Sequence, residues 1–588
     1  MTAKYDVVIR GGTIADGSGR SLYEADVAVQ GGKIAALGMV GGSGREEVDA
    51  RGLLVTPGFI DVHTHLDGYV TWAERLIPSS SQGVTTVMFG NCGVGFAPCR
   101  SADRDKLVRL MEGVEDIPGV VLTDGLPWNW TSFPEYLDAL AQRRFDADVA
   151  ALAPHAPIRV FVMGDRAAAR EPATTDDIAA MADITREALA AGAFGFATSR
   201  TINHRASDGA HTPTLRAGHE ELLAIAAAVG AAGTGILQMI SDFEDLENDF
   251  ALVRGMAQRS GRPTTLSVMQ FAHAPNRWRS LLEHIAAANR DGLNVTGQVI
   301  GRPIGVFLGL EVTFSPFAFC PTVLQMHRLS FEEKLHRFRD PLVKARILEE
   351  FAVPLEQRQA QIAQAFEGRT VDIHSMAKML TNFERMFALG DPPQYAPARE
   401  TSLACMARRA GKSAAEVAYE AMLAQDGRGL IYTPAANFAE GTLEAVREML
   451  LHDNTILGLS DAGAHYGLVC DATIATYMVS HWARDARERI PLPIVVKALT
   501  QKGASLMGLS DRGQIAEGLR ADINLIDFDK IRLHHPRVAY DLPAGGKRLT
   551  QDADGFVMTL VGGVPTYRHG EFTGALPGRL LRSGRSLN

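Results

Sequence analysis

The chain has 588 residues, of which 46% are hydrophobic and 22% charged, the composition of a globular protein with large cores. Its net charge of −9, from 59 basic and 68 acidic residues, comes with no block of like charge, which argues against nucleic acid or a membrane surface as the main partner. Five scattered cysteines (Cys92, Cys99, Cys320, Cys405, Cys470) make no disulfide framework. No run approaches the ~18 apolar residues of a membrane span, and the start, MTAKYDVVIRGG, lacks a signal-peptide apolar region, so a cytoplasmic location is expected.

In chain order, the first stretches, YDVVIRGG, ADVAVQGGKIAAL and REEVDARGLLVTPG, are short strands separated by glycine pairs, a hairpin pattern. The rhythm then changes to strand, helix, strand. Apolar runs at 58–65, 84–91, 158–163, 193–198, 235–240, 264–270, 294–300 and 456–461 are candidate parallel strands. The helix patterns among them include TTDDIAAMADITREALAAG, which opens on capping Thr and Asp residues and continues with apolar residues three and four apart. Eight such strands alternating with helices predict an α/β fold, a (β/α)8 TIM barrel over 57–305 plus 456–514, with its active site at the strands' C-terminal ends.

Residues 306–455 are too long for a loop and rich in helix patterns (FEEKLHRFRDPLVKARILEEF, KSAAEVAYEAMLAQ). They are expected to form an inserted subdomain over the active-site mouth. The last strands, ADINLIDFD, GFVMTLVGG and VPTYRHGEFTG, match the first ones in pattern. Residues 1–56 and 515–588 are therefore expected to build one small β-sandwich domain from both chain ends.

The stretch FIDVHTHLDG places His63 and His65 at the end of the first candidate barrel strand. Side chains two apart in a strand face the same way, and neutral imidazole is the commonest metal ligand. Asp461 ends the eighth strand, and in a closed barrel the first and eighth strands are neighbours. Three potential ligands thus converge across some four hundred residues of sequence. A metal site is expected there.

The whole pattern resembles the amidohydrolase superfamily, and more closely its N-acyl-D-amino-acid deacylase (D-aminoacylase) branch. The resemblance is carried by PGFIDVHTH, YDVVIRGGTIADGSG, GVTTVMFGNCGVGFAP, WNWTSFPEYLDAL, GLSDAG, GASLMGLSDRGQIAEGLRADINLIDF and VGGVPTYRHGEFTGALPGRLLR, spread over most of the chain. It implies an enzyme hydrolysing a linear amide, a carbon–nitrogen bond other than a peptide bond, with zinc. By that resemblance His63 and His65 are ligands, Asp461 is ligand and general base, and Cys92 is a thiolate ligand. A small-molecule substrate and a homo-oligomer are also implied.

Two positions depart from the family's pattern. Gln238 and Val268 stand where histidines are expected on the fifth and sixth strands; valine cannot bind a metal and an amide is a poor zinc ligand. His273 is the nearby histidine that could substitute. One zinc per chain, held by His63, His65 and Asp461 with or without Cys92, is the expectation. Gln270 replaces the family's basic residue, so Arg200 or Arg302 becomes the candidate cation for a substrate carboxylate, with Gln238 and Gln270 also placed to meet substrate. His465, four residues beyond Asp461, is a candidate for contacting substrate or orienting Asp461. Alternatives are hydrolysis of a cyclic amide, ester or carbamate, a metal-assisted decarboxylation on the same barrel, or a barrel that binds without turnover.

Overall fold

The computed structural model describes residues 3–354, 357 and 379–584. Parallel pairing runs in chain order from Phe59–Asp61 to Val84–Phe89 and on to Asp148–Ala151. Ala153–Pro154 continues that third strand and pairs with Gly195–Arg200. Ile236–Ser241, Thr264–Ser267, Val295–Val299 and Thr455–Leu457 follow, each parallel to the one before. A parallel bridge between Thr64 and Ala462 then sets the extension of the first strand against that of the last. The pairing returns to its start, which is what brings the His63 and Asp461 ends of the chain together.

Helices lie between these strands, some of them with side-chain caps. In Thr175–Ala191, Thr174 and Asp177 form a reciprocal capping box, and Gly192 in the left-handed region ends the helix. The third strand is a correction. IRVFVM, expected as a strand at 158–163, lies in the helix His155–Met163, and the strand is the alanine-rich stretch before it. A short apolar β-branched run does not distinguish a buried strand from a buried helix by periodicity. Burial on both faces holds the alanine-rich stretch as a strand despite its low intrinsic preference.

The two chain ends meet in one sheet. Tyr5–Ile14 pairs with Tyr23–Gln30, Gly44–Asp49 and Leu54–Pro57, and Leu54–Pro57 pairs with Ile523–Ile526, which continues to Phe556–Val561, Val564–Arg568 and Glu571–Phe572. Among the described residues this is a single continuous sheet of nine strands. It packs round its own core of Val7, Ile9, Val27, Ile34, Val55, Ile523 and Leu560.

After Val295–Val299 the chain enters its long insertion. Helices Phe331–Arg339, Pro341–Ala352 and Ala414–Gly427 match the expected patterns and, with Leu403–Ala410, share a core that includes Leu335, Phe338, Ile347, Tyr419 and Met422. The insertion also holds an antiparallel sheet of Ile304–Leu308, Ile431–Ala436 and Phe387–Ala388, which helix patterns alone do not announce. The part of the expected subdomain at 355–356 and 358–378 lies outside the described residues. Among the described residues no helix is long and apolar enough to cross a membrane.

Candidate metal centre

His63 and His65 are fixed by the backbone of the eighth strand's extension. The Asp461 N–H donates to the His63 carbonyl at 3.3 Å, and the His65 N–H donates to the Ala462 carbonyl at 2.8 Å. Asp61 supports the turn from below: its carboxylate accepts the His63 N–H at 3.2 Å and the Ser460 hydroxyl at 2.5 Å. Both imidazoles are buried, at 0% and 2% exposure.

Their Nε2 atoms converge. His63 Nε2 lies 3.5 Å and His65 Nε2 3.6 Å from the same oxygen, Asp461 Oδ1. Cys92 Sγ lies 3.3 Å from His63 Nε2. Each of His63, His65 and Cys92 offers a ligand atom within 4.8 Å of the other two. The far side of each ring faces an acceptor: His63 Nδ1 is 2.5 Å from Gln298 Oε1, and His65 Nδ1 is 3.3 Å from Glu115 Oε1. With Nδ1–H donating to Gln298, the Nε2 lone pair of His63 faces the centre.

Three of these positions have unusual backbone. Cys92, Asp461 and His465 sit at φ 55°, 47° and 52°, in the left-handed region that side chains other than glycine seldom adopt. Such geometry persists where the surroundings over-determine it, commonly at active sites.

The pocket is acidic and buried. Burial pushes Asp461 up to about 6, with His465 pulling the other way, and pushes Asp61 and Asp67 up to about 7. Burial also raises the Cys92 thiol, with Glu115, Asp461 and Asp67 adding to it. His63 is pushed down to about 4 by burial, against the Gln298 contact. Among the described residues no Lys or Arg forms an ion pair with Asp61, Asp67, Glu115 or Asp461. Asp461 Oδ1 is buried without a hydrogen-bond partner, a costly state unless a cation meets it. Two imidazoles and a thiol within 4.8 Å of one another, with Asp461 Oδ1 beside both imidazoles, form a donor set that fits zinc.

The remaining candidates are placed differently from expectation. Gln238, fully buried, uses Oε1 to accept the Cys92 N–H at 2.8 Å, and its Nε2 is unpartnered. Val268 is core. Gln270 is not free for substrate: its amide joins Glu440 Oε2 at 2.7 Å and the Ala439 N–H at 3.1 Å. Arg302 is fully buried, bound to Asp471 at 2.7 Å and stacked 4.0 Å over the Tyr395 ring, so a substrate carboxylate does not reach it. Arg200 donates to the Ala217 carbonyl at 2.5 Å, and its charge acts on Asp249 of the outer helix Leu246–Ser260. His273 stacks on Phe271 in an exposed loop, away from the centre.

His465 is brought to the site. Its N–H donates to the Glu115 carbonyl, and its Nε2 lies 3.8 Å from Glu115 Oε2. Sequence spacing misses Glu115, His204 and Gln298. His204, whose Nδ1 is 2.9 Å from Ser199 Oγ, acts electrostatically on His65. Glu115 and His204 stand in loops with no periodic signal, whereas Gln298 lies inside the strand Val295–Val299, whose two-residue period is the signal that could have found it.

D-aminoacylase of Alcaligenes xylosoxydans xylosoxydans is 27% identical over 98% of this chain and 97% of its own. A solved D-aminoacylase superposes with a TM-score of 0.64 at 24% identity, covering 98% of this chain and 100% of that one. The N-acyl-D-glutamate deacylase of Bordetella bronchiseptica, solved with zinc and a phosphonate mimic of the tetrahedral intermediate, superposes with a TM-score of 0.62 at 25% identity over 98% of this chain and 100% of its own. The model of the amidohydrolase family matches residues 46–567. With that match spanning nearly the whole chain, and its likeness running to D-aminoacylases, the protein belongs to the amidohydrolase family, in its D-aminoacylase-like branch.

Proposed function

We propose that the protein hydrolyses the linear amide of an N-acyl amino acid, using one zinc ion held by His63, His65 and Asp461 at the mouth of a (β/α)8 barrel, with Cys92 beside it. The barrel is assigned to 57–305 plus 456–514, the small β domain to 1–56 plus 515–588, and the inserted subdomain to 306–455. The observation that carries the chemistry is the shared approach of two Nε2 atoms to Asp461 Oδ1. Zinc bound there would lower the pKa of a water towards ~7 and polarise the scissile carbonyl.

The chain's own groups supply the rest. Asp461 accepts the proton of the attacking water on its carboxylate and hands it to the leaving nitrogen as the amide carbon–nitrogen bond breaks. Gln298 holds the ring of His63 so that Nε2 stays directed at the centre. Burial of His63, His65 and Cys92 keeps bulk water from competing with these contacts, while Asp461 stays partly exposed.

One observation favours a second reading. Arg302 and Gln270 are engaged elsewhere, which leaves Arg200, bound to the Ala217 carbonyl with its Nε unpartnered, as the remaining candidate cation for a substrate carboxylate. A cyclic amide, ester or carbamate needs none. A screen of the zinc-loaded protein against N-acyl-D- and N-acyl-L-amino acids, lactams and esters separates the two. Turnover of N-acyl amino acids that is lost on chelation supports the first reading; turnover confined to substrates without a carboxylate replaces it with the second.

A further inference from the structure

Glu115 has no role in the chemistry above, yet it is one of the most deeply buried carboxylates of the molecule, at 1% exposure. It follows the helix Arg104–Val114, its N–H closing the last turn on the Met111 carbonyl. The next residue, Asp116, is left-handed at φ 50°. Asp116 Oδ2 then accepts the Gly467 N–H at 3.0 Å, and the Glu115 carbonyl accepts the His465 N–H. The loop that carries Glu115 is thereby tied to the loop that follows Asp461.

The side chain faces two imidazoles. Oε1 lies 3.3 Å from His65 Nδ1 and Oε2 lies 3.8 Å from His465 Nε2. Among the described residues these histidines are its only ion-pair partners, and Oε1 and His65 Nδ1, 3.3 Å apart, are each buried without a hydrogen bond and so are left open to each other. A buried carboxylate with neither Lys nor Arg beside it is a liability unless a cation nearby balances it. His65 offers the route: its Nε2 is on the Asp461 side and its Nδ1 is on the Glu115 side. Gln298 occupies the equivalent place behind His63.

We propose that Glu115 is the outer carboxylate of the metal centre, a positioning residue that takes the Nδ1–H of His65, presents Nε2 to the metal, and ties His465 to the same assembly. This rests on the zinc reading above. A carboxylate in that place raises the basicity of the ligating imidazole and fixes its tautomer, and loss of such a partner typically weakens metal binding about 10–100-fold. Gln298 cannot do the same for His63, since a neutral amide orients the ring but adds no charge.

The test is zinc affinity, measured by competition with a chromophoric chelator on the full chain, for wild type, Glu115→Gln and Glu115→Asp. The Co2+-substituted proteins are compared by their visible absorption bands. The expected result is zinc binding weakened about tenfold or more in E115Q, with altered Co2+ bands, and partial recovery of both in E115D. Zinc affinity of folded E115Q within twofold of wild type, with only its thermal midpoint lowered, overturns the proposal and leaves Glu115 a packing residue. If E115Q does not fold, E115D decides in the same way: affinity and bands identical to wild type overturn the proposal, and weakened binding supports it. A wild-type chain that binds no zinc brings down the zinc reading and this proposal together, so the two failures are distinguishable.

Discussion

Gln238 Oε1 accepts the backbone N–H of Cys92 at 2.8 Å, joining the fifth strand to the turn that follows the second. The residue at the expected histidine position therefore holds the thiol-bearing turn in its left-handed conformation. Val268, at the other expected histidine position, is fully buried among apolar side chains. Neither supplies a ligand for a second metal. The expected outcome is about one tightly held zinc per chain in protein purified without added metal, read by elemental analysis. Two equivalents surviving dialysis would mean that other residues, with Glu115, His204 and His465 nearest in kind, rebuild a second site.

Asp461 carries the proton transfer in the proposed reaction. Asp461→Asn preserves shape and removes the acceptor, and loss of a general base typically costs about 10²–10⁴ in rate. Turnover should fall by that order, with an unchanged circular dichroism spectrum. Because Asp461 Oδ1 also faces both histidines, zinc affinity is measured alongside. Full zinc loading with near-normal turnover would move the base elsewhere, first to His465.

Much of this was legible in the sequence, and the failures have physical causes. The His63–His65 pair and Asp461 could be placed because a strand's two-residue period and the closure of parallel strands constrain where they point. Seven candidate strands overlap the observed ones. The third fails because IRVFVM satisfies strand and helix alike, and the choice is made by packing against neighbours rather than by the run itself. Arg200 and Arg302 illustrate a different limit. Their position after a strand says only that they are near the mouth; Asp471 and Tyr395, far off in sequence, decide that Arg302 faces inward. Glu115 is invisible beforehand, since its place follows from a helix end docking on the loop after Asp461.

Stability at the opposite end of the strands rests on a buried ionic network. Arg512 Nη1 lies 2.7 Å from Asp148 Oδ2 and 3.5 Å from Asp522 Oδ2, and Arg520 reaches the same two carboxylates at 3.2 and 3.0 Å. The side chains of Arg512, Asp148 and Asp522 are at most 3% exposed. Removing one partner of such a network leaves buried charge uncompensated and typically costs about 3–5 kcal/mol. Arg512→Met should lower the urea midpoint accordingly, towards the smaller value because Arg520 remains. Zinc content of the folded variant should be unchanged, because Asp148 begins the third strand while the metal residues stand beyond the strands' other ends.

Cys92 is the sharpest test of how the metal is held. Its sulfur is 3.3 Å from His63 Nε2, slightly nearer than Asp461 Oδ1 at 3.5 Å, so proximity alone does not separate a ligand from a neighbour. Ligand count does. Burial together with Glu115, Asp461 and Asp67 raises the pKa of this thiol, and only a bound metal would draw off its proton. Catalytic zinc commonly takes three protein ligands and leaves a position for water, and His63, His65 and Asp461 already number three. A thiolate added to them would donate charge and make the bound water less acidic, which suits a structural metal better than a hydrolytic one. Cys92→Ser is therefore expected to keep its zinc through gel filtration and to retain a fair part of the activity, since the hydroxyl fits the space and Gln238 binds the backbone rather than the sulfur. Loss of the metal from folded C92S on the column would make Cys92 a true ligand and sink the three-ligand centre.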